Sequence, residues 1–223
     1  MNSANDIAIL LFSRSAKLES HFKRWTDNPS INFHIADQLI KKTLAKLCDA
    51  PFPLFHIDET LQTGNTFGQR FSNAFNFIFN KGYKYVVALG NDCNDVRPDW
   101  QLIYEQLKSR KSILGPDRRG GVYLIGISRE AFFDLEFGRI SWKSPLVFRQ
   151  LKCQLDHCYI LRAEKDTNTF DDVVENKDLL EWIRRYRIKP IFARKKEKYI
   201  STPQILQGLK RGPPSYALTL TID

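Results

Sequence analysis

Six residues, Gly90-Asn91-Asp92-Cys93-Asn94-Asp95, put two carboxylates directly after Tyr85–Leu89 (YVVAL), the clearest strand-like run in the chain. A carboxylate at the carboxyl end of a strand is where an α/β enzyme holds Mg2+ or Mn2+. Such a hard cation takes one or two protein carboxylates and completes its shell with substrate phosphates and water. The same residues also read as an Asx-rich turn that stops a strand and caps a helix beginning near Asp99.

Two further loops have the composition of phosphate sites. In Gly115-Pro116-Asp117-Arg118-Arg119-Gly120-Gly121 the glycines permit close backbone approach, the amides of such a turn can form an anion nest, and two arginines can grip a phosphate. The alternative is a hairpin-like turn between Leu114 and Val122 with solvated arginines. Gln62-Thr63-Gly64-Asn65-Thr66-Phe67-Gly68-Gln69-Arg70 opens a helix, whose first amides can hold phosphate, although every helix start needs a cap. The four histidines (His21, His34, His56, His157) are scattered, and no nucleophilic triad, P-loop or Gly-x-Gly-x-x-Gly is present.

These loops need elements to position them. Asp6–Phe12, Pro53–Ile57, Tyr85–Leu89, Ser112–Leu114 and Val122–Ile127 read as strands, and helical spacing marks Ile35–Cys48, Thr66–Phe79 and Asp99–Ser109. Phe67, Phe71, Phe75 and Phe79 recur at every fourth position, the pattern of a core-facing helix stripe. Runs that are apolar throughout predict strands covered on both faces, in a doubly wound α/β layer that binds ligands beyond its strands' carboxyl ends. Helices are expected further on, at Pro145–Leu155 and Phe170–Tyr186, whereas Ser13–Ser20 reads as a ligand-facing loop.

The chain has 223 residues, 43% hydrophobic and 26% charged, which excludes disorder and a disulfide scaffold. The longest apolar run, Ile7–Phe12, is far short of the ~20 residues of a membrane span, no signal peptide is visible, and the four cysteines lack zinc spacing. A cytoplasmic protein with reduced thiols is expected. The net charge of +9 is concentrated in the last 43 residues, where ten Lys/Arg face three Asp/Glu. The expected organisation is an α/β domain over 1–188 followed by a basic appendage over 189–223. Such a tail attracts nucleic acid, an anionic surface or a phosphorylated ligand, or is simply solvated. No nucleic-acid stacking module accompanies it, so nucleic acid is not the expected partner.

Taken in order, the loops resemble a bacterial family of nucleotide-diphospho-sugar transferase-like proteins with a GT-A-like fold, distantly related to molybdopterin-type nucleotidyltransferases. The resemblance covers roughly residues 6–180. Gln62–Arg70 is similar to the family's Gln-x-Gly-x-x-Leu-Gly-x-Arg, and Gly90–Val96 to its metal-binding Gly-Ser-Asp-x-Pro-x-Leu. Gly115–Gly126 is similar to Gly-Pro-x-x-Asp-Gly-Gly-Tyr-x-Leu-Ile-Gly, and Ile140–Ser144 to Ile-Pro-Trp-Ser-Thr. Three departures stand out. The first loop, Ser13–Ser20, lacks the family's Pro-Gly-x-x-Lys-Thr-Arg-Leu. Arg119 replaces an acid, and Asn168 replaces the second acid of an Asp-x-Asp-Thr-Pro-x-Asp segment spanning Asp166–Asp172.

The resemblance implies a GT-A-like fold whose central, mostly parallel sheet carries helices on both faces. It also implies an enzyme that binds a nucleoside-diphosphate sugar with Mg2+ or Mn2+ and transfers the glycosyl group to an acceptor. Asp92 would hold the metal with Asp95 in support. Ser13, Arg14, Lys17, Gly64, Arg70, Arg118, Arg119, Gly120 and Gly121 would contact the nucleotide and its phosphates, with Arg118 and Arg119 supplying some of the charge a metal supplies elsewhere. The substitutions at charged motif positions keep a second reading open: a non-catalytic relative that binds a phosphorylated ligand or a protein partner.

Overall fold

Consecutive residues of the first strand face opposite ways, and both faces are covered. In a computed structural model describing residues 6–93 and 96–185, β1 (Ile7–Phe12) is buried at every position. Its Ala8, Leu10 and Phe12 enter one hydrophobic cluster, and its Ile7, Ile9 and Leu11 enter another. A strand buried on both sides must be apolar throughout, which is why the run reads as continuous.

The remaining strands are β2 (Leu54–Ile57), β3 (Tyr85–Leu89), β4 (Ser112–Pro116), β5 (Val122–Ser128) and β6 (Cys158–Ile160). They form one six-stranded sheet in the order β2-β1-β3-β5-β4-β6. β1 pairs in parallel with β2 and β3, and β4 with β6, whereas β5 runs antiparallel to both β3 and β4. The sheet is thus mostly parallel, as expected. The inverted β5 departs from the simple doubly wound order, because the 117–121 turn is far too short for the dozen or more residues of a parallel crossover. The segment is thus a hairpin turn, although of its two arginines Arg119 is ion-paired rather than solvated.

The helices are α1 (Ala16–Phe22), α2 (Pro29–Cys48), α3 (Phe67–Phe79), α4 (Trp100–Lys108), α5 (Arg129–Asp134), α6 (Val147–Gln154), α7 (Phe170–Glu175) and α8 (Lys177–Arg185). Pro29 at the first helical turn and the Asn28 cap start α2 ahead of its periodic stretch. Thr66 and Gln69 close a capping box on α3, so the side chains of the Gln62–Arg70 loop satisfy the helix's own first amides. The last five residues of the expected first loop begin α1, which is capped by Ser15 and runs on to Phe22. The single helix expected over Phe170–Tyr186 breaks at Asn176, which ends α7 and whose Oδ1 accepts from Leu179 N, while Tyr186 lies outside the described residues. The basic segment 189–223 also lies outside them. No helix among the described residues is long and apolar enough to cross a membrane.

The phenylalanine stripe of α3 forms the centre of the first cluster. Phe75 and Phe79 are fully buried, and Phe132, Phe137 and Trp142 extend the ring contacts. Phe77, on the same helix, is 50% exposed. Phe75→Ala should therefore cost about 3–5 kcal/mol in urea unfolding, whereas Phe77→Ala should cost less than about 1 kcal/mol.

Candidate functional site

At the carboxyl ends of β1 and β3, beside the β4–β5 turn, lies a cleft of about 650 Å³. Phe12, Phe67, Phe71 and Trp142 are its aromatic lining, and Arg14, Lys23, Asp92, Asp117, Arg119, Lys143 and Asp166 carry its charges. The volume is within the range of about 300–1,000 Å³ usual for small-molecule sites.

Two of the cleft's carboxylates, Asp92 and Asp166, are each met by a cation of the protein. Lys23, just past the end of α1, places its ammonium 2.7 Å from Asp92 Oδ2 and 3.6 Å from Glu19 Oε1. Glu19 is buried on α1 and also takes a 2.8 Å bond from Arg14. Burial works against the charge on Lys23, but the facing Asp92 and Glu19 outweigh it and raise its pKa. Burial likewise opposes ionisation of Asp92, yet the Lys23 ammonium prevails and holds its carboxyl below the usual range. Arg119 forms a second knot. It bonds the Asp166 carboxylate through one nitrogen and Asp172 through another at 2.9–3.0 Å, with Lys165 3.0 Å from Asp172 on the other side. Burial, and then the nearby Asp92 charge, raise the pKa of Asp166 despite Arg119. Asp172, although buried, is held well below the ordinary carboxylate range by Lys165 and the Thr169 amide and hydroxyl.

The backbone donors that could have cradled an anion are occupied too. Asp117 Oδ1 accepts from the amides of Arg119 at 2.7 Å and Gly121 at 2.8 Å, so the turn's nest holds the chain's own carboxylate. Gly120 sits at φ +90° with its α-carbon against Pro145, where a β-carbon would lie 2.2 Å from the Pro145 carbonyl oxygen. In the first loop, Glu59 accepts from the Ser15 amide at 2.5 Å and from the Ser15 hydroxyl.

Of the residues expected at the site, Arg14, Asp92, Arg119 and Gly121 line the cleft. Ser13 is buried beneath it, bonded to His56 Nε2 at 2.9 Å, and Lys17 is exposed on α1. Gly64, at φ +124°, and Arg70 meet each other, the guanidinium lying 3.3–3.4 Å from the carbonyls of Asn65 and Gly64. Arg118 is exposed, its amide bonded to the Glu164 carbonyl, and Gly120 shapes the turn without lining the cleft. Asp95 lies outside the described residues. Lys23, Lys143, Glu19 and Asp166 were not among the expected contacts. Glu19 and Lys23 are four apart, the spacing of a helix-face pair, and this was their one signal. Lys143 has a left-handed backbone, φ +66°, and lines the cleft, with no carboxylate partner among the described residues. Burial, then the positive charges of Arg14 and Arg70, lower its pKa.

A divalent cation at Asp92 is what the resemblance implies, and the donor set does not fit one. Asp92 Oδ2 already receives Lys23, and Asp166 receives Arg119 and Asn168.

The Arg119–Asp172 knot gives a pH test. The folded pKa of Asp172 is depressed, so its contribution to stability is present above the ordinary value of 3.8 and is lost as the pH falls from there toward the lower folded value. Asp172→Asn should lower stability by about 2 kcal/mol at pH 7. It should also flatten the loss of stability below pH 3.8, as read from urea midpoints across an acid series.

Comparison with known proteins agrees with this architecture. A crystal structure of a candidate nucleotide-diphospho-sugar transferase from Desulfovibrio desulfuricans G20 superposes with a TM-score of 0.59 at 20% identity, over 82% of this chain and 98% of that one. A mycobacterial protein from strain JC1, a homolog of Mycobacterium tuberculosis Rv0371c, superposes with a TM-score of 0.51 at 13% identity, over 81% and 98%. No curated protein sequence matches the chain. The fold is thus the mostly parallel α/β sheet shared with these proteins, and residues 41–144 match the model of a bacterial family, DUF2064, described as an uncharacterized protein conserved in bacteria.

Proposed function

We propose that the cleft binds a nucleoside-diphosphate sugar and that the protein is a glycosyltransferase-like enzyme passing the glycosyl group to an acceptor. The observation that carries this reading is the pairing of an aromatic wall with two cations at the strand ends. Phe12, Phe67, Phe71 and Trp142 offer flat apolar surface to a base or sugar face. The same cleft is lined by Arg14 and Lys143, the latter partly desolvated, flanked by positive charge and without a carboxylate of its own among the described residues. Such a cation gains most by meeting an anion, and a diphosphate supplies one.

In this reading Arg14 and Lys143 hold the diphosphate and offset the charge that grows on it as the bond to the sugar breaks. Asp166 lines the same cleft, and its neighbours make it a better base than Asp92. We assign it to receive the proton of the attacking acceptor hydroxyl. The electron pair of the broken carbon–oxygen bond leaves with the nucleoside diphosphate. The likeness in fold to a candidate nucleotide-diphospho-sugar transferase supports the ligand class.

A second reading, binding of a phosphorylated ligand without turnover, is favoured by one observation: the 2.7 Å pair between Lys23 and Asp92 ties up the carboxylate expected to be catalytic.

A thermal-shift panel of UDP-, GDP-, ADP- and TDP-sugars tests both. At 100 times its dissociation constant a ligand stabilises by about 2.7 kcal/mol, a rise of about 5–10 °C for a chain of this length. Lys143→Met should weaken the binding about tenfold or more. Release of nucleoside diphosphate in the presence of sugar acceptors supports the transferase, and binding without release supports the second reading. No shift with any nucleotide sugar would overturn the transferase and favour the second reading, whose phosphorylated ligand need not be a nucleotide.

A further inference from the structure

We propose that Lys23 is a resident counter-cation for Asp92, so that ligand capture in this cleft is independent of a divalent metal. The ligand part of this inference rests on the nucleotide-diphosphate reading above, while the cation part stands on geometry alone.

The Lys23 ammonium lies between two carboxylates of different elements, Asp92 beyond β3 and Glu19 on α1. It is held there from both ends. The Lys23 amide bonds the Glu19 carbonyl at 2.8 Å, and the start of α1 is tied to Glu59 through Ser15. The side chains of Lys23 and Asp92 are only 20% and 28% exposed, which places the pair where charge is poorly screened. Arg119 performs the same task for Asp166, the other carboxylate facing Asp92. Thr167 N, bonded to the Asp92 carbonyl at 3.0 Å, fixes the two carboxylate-bearing loops together.

A divalent ion entering at Asp92 would have to evict Lys23 and strand its ammonium beside the positive charges of Arg14 and Arg119. Removing one partner of a poorly solvated ion pair is more costly than leaving the pair intact. Conversely, without the ammonium an incoming diphosphate would meet the unbalanced charge of Asp92, with Asp117 lining the same cleft. Lys23 therefore does for the ligand what a bound metal would do, with a charge that never dissociates.

The test uses two independent readouts on the full chain. Mn2+ uptake is followed by electron paramagnetic resonance, and binding of UDP-glucose and GDP-mannose by calorimetry, in EDTA and in Mn2+. Wild type should take up no Asp92-dependent Mn2+, and its nucleotide affinity should agree within about twofold between the two buffers. Lys23→Met should lose about tenfold or more in EDTA, recover in Mn2+, and acquire a Mn2+ signal that Lys23→Met/Asp92→Asn lacks. Lys23→Arg, which keeps the charge, should behave as wild type. One Mn2+ per wild-type chain that Asp92→Asn abolishes would overturn the proposal. So would nucleotide binding seen only with Mn2+, or undiminished affinity of Lys23→Met in EDTA. If neither nucleotide binds, the ligand reading fails separately and the Mn2+ arm decides. Uptake by Lys23→Met and not by wild type then supports the resident cation, and uptake by neither rejects it.

Discussion

One strand running against its neighbours governs how this cleft is built. β5 lies between β3 and β4 and points away from the edge where the parallel strands end. Because of that inversion the chain needs only the 117–121 turn to pass from β4 into β5, and the turn emerges beside the loop that carries Asp92. The Gly90 amide bonding the Tyr123 carbonyl at 3.1 Å shows how closely the two segments are joined. A parallel arrangement would have put a crossover helix in this place. Here a tight turn, held by Asp117, brings Arg119 and Gly121 to the cleft instead.

The second organising feature is that charge is settled within the chain. Arg14, Glu19, Lys23 and Asp92 form one line of alternating sign, and Asp166, Arg119, Asp172 and Lys165 form another. Each buried carboxylate would be costly alone, and each has a cation in contact. The lines also fix geometry, since they join α1 to the loop after β3, and the β4–β5 turn to the segment leading into α7. Lys143 stands outside both lines, lining the cleft with no carboxylate partner among the described residues.

Much of the scaffold was legible in the residues. The continuous apolar strands, the four-residue phenylalanine spacing and the Asp99 and Thr66 caps are local patterns, and the elements they mark are present. Strand direction was not legible, because an apolar run such as Val122–Ile127 is the same in either sense. Helix α1 escaped notice because its seven residues are too few to show a periodic face, and β6 because three residues make no run. At the site, Asp92 stood out by its place after a strand. Its partner Lys23 is 69 positions away and looks like any surface lysine until the chain is folded. Arg119 was read as a phosphate-binding charge, but its partners Asp166 and Asp172 lie 47 and 53 positions on, and no spacing rule connects them.

Phe67 and Phe71 have two duties: they belong to the ring stack of the core, and they form a wall of the cleft. Fold and binding surface therefore share the same atoms along one helix. A ring altered there to suit a new ligand would also loosen the packing against Phe137 and Trp142. Change in what this cleft presents is consequently easier at Lys143 and Ser144, which line it from outside the ring stack. On the helix, by contrast, a change to the cleft wall is also a change to the core.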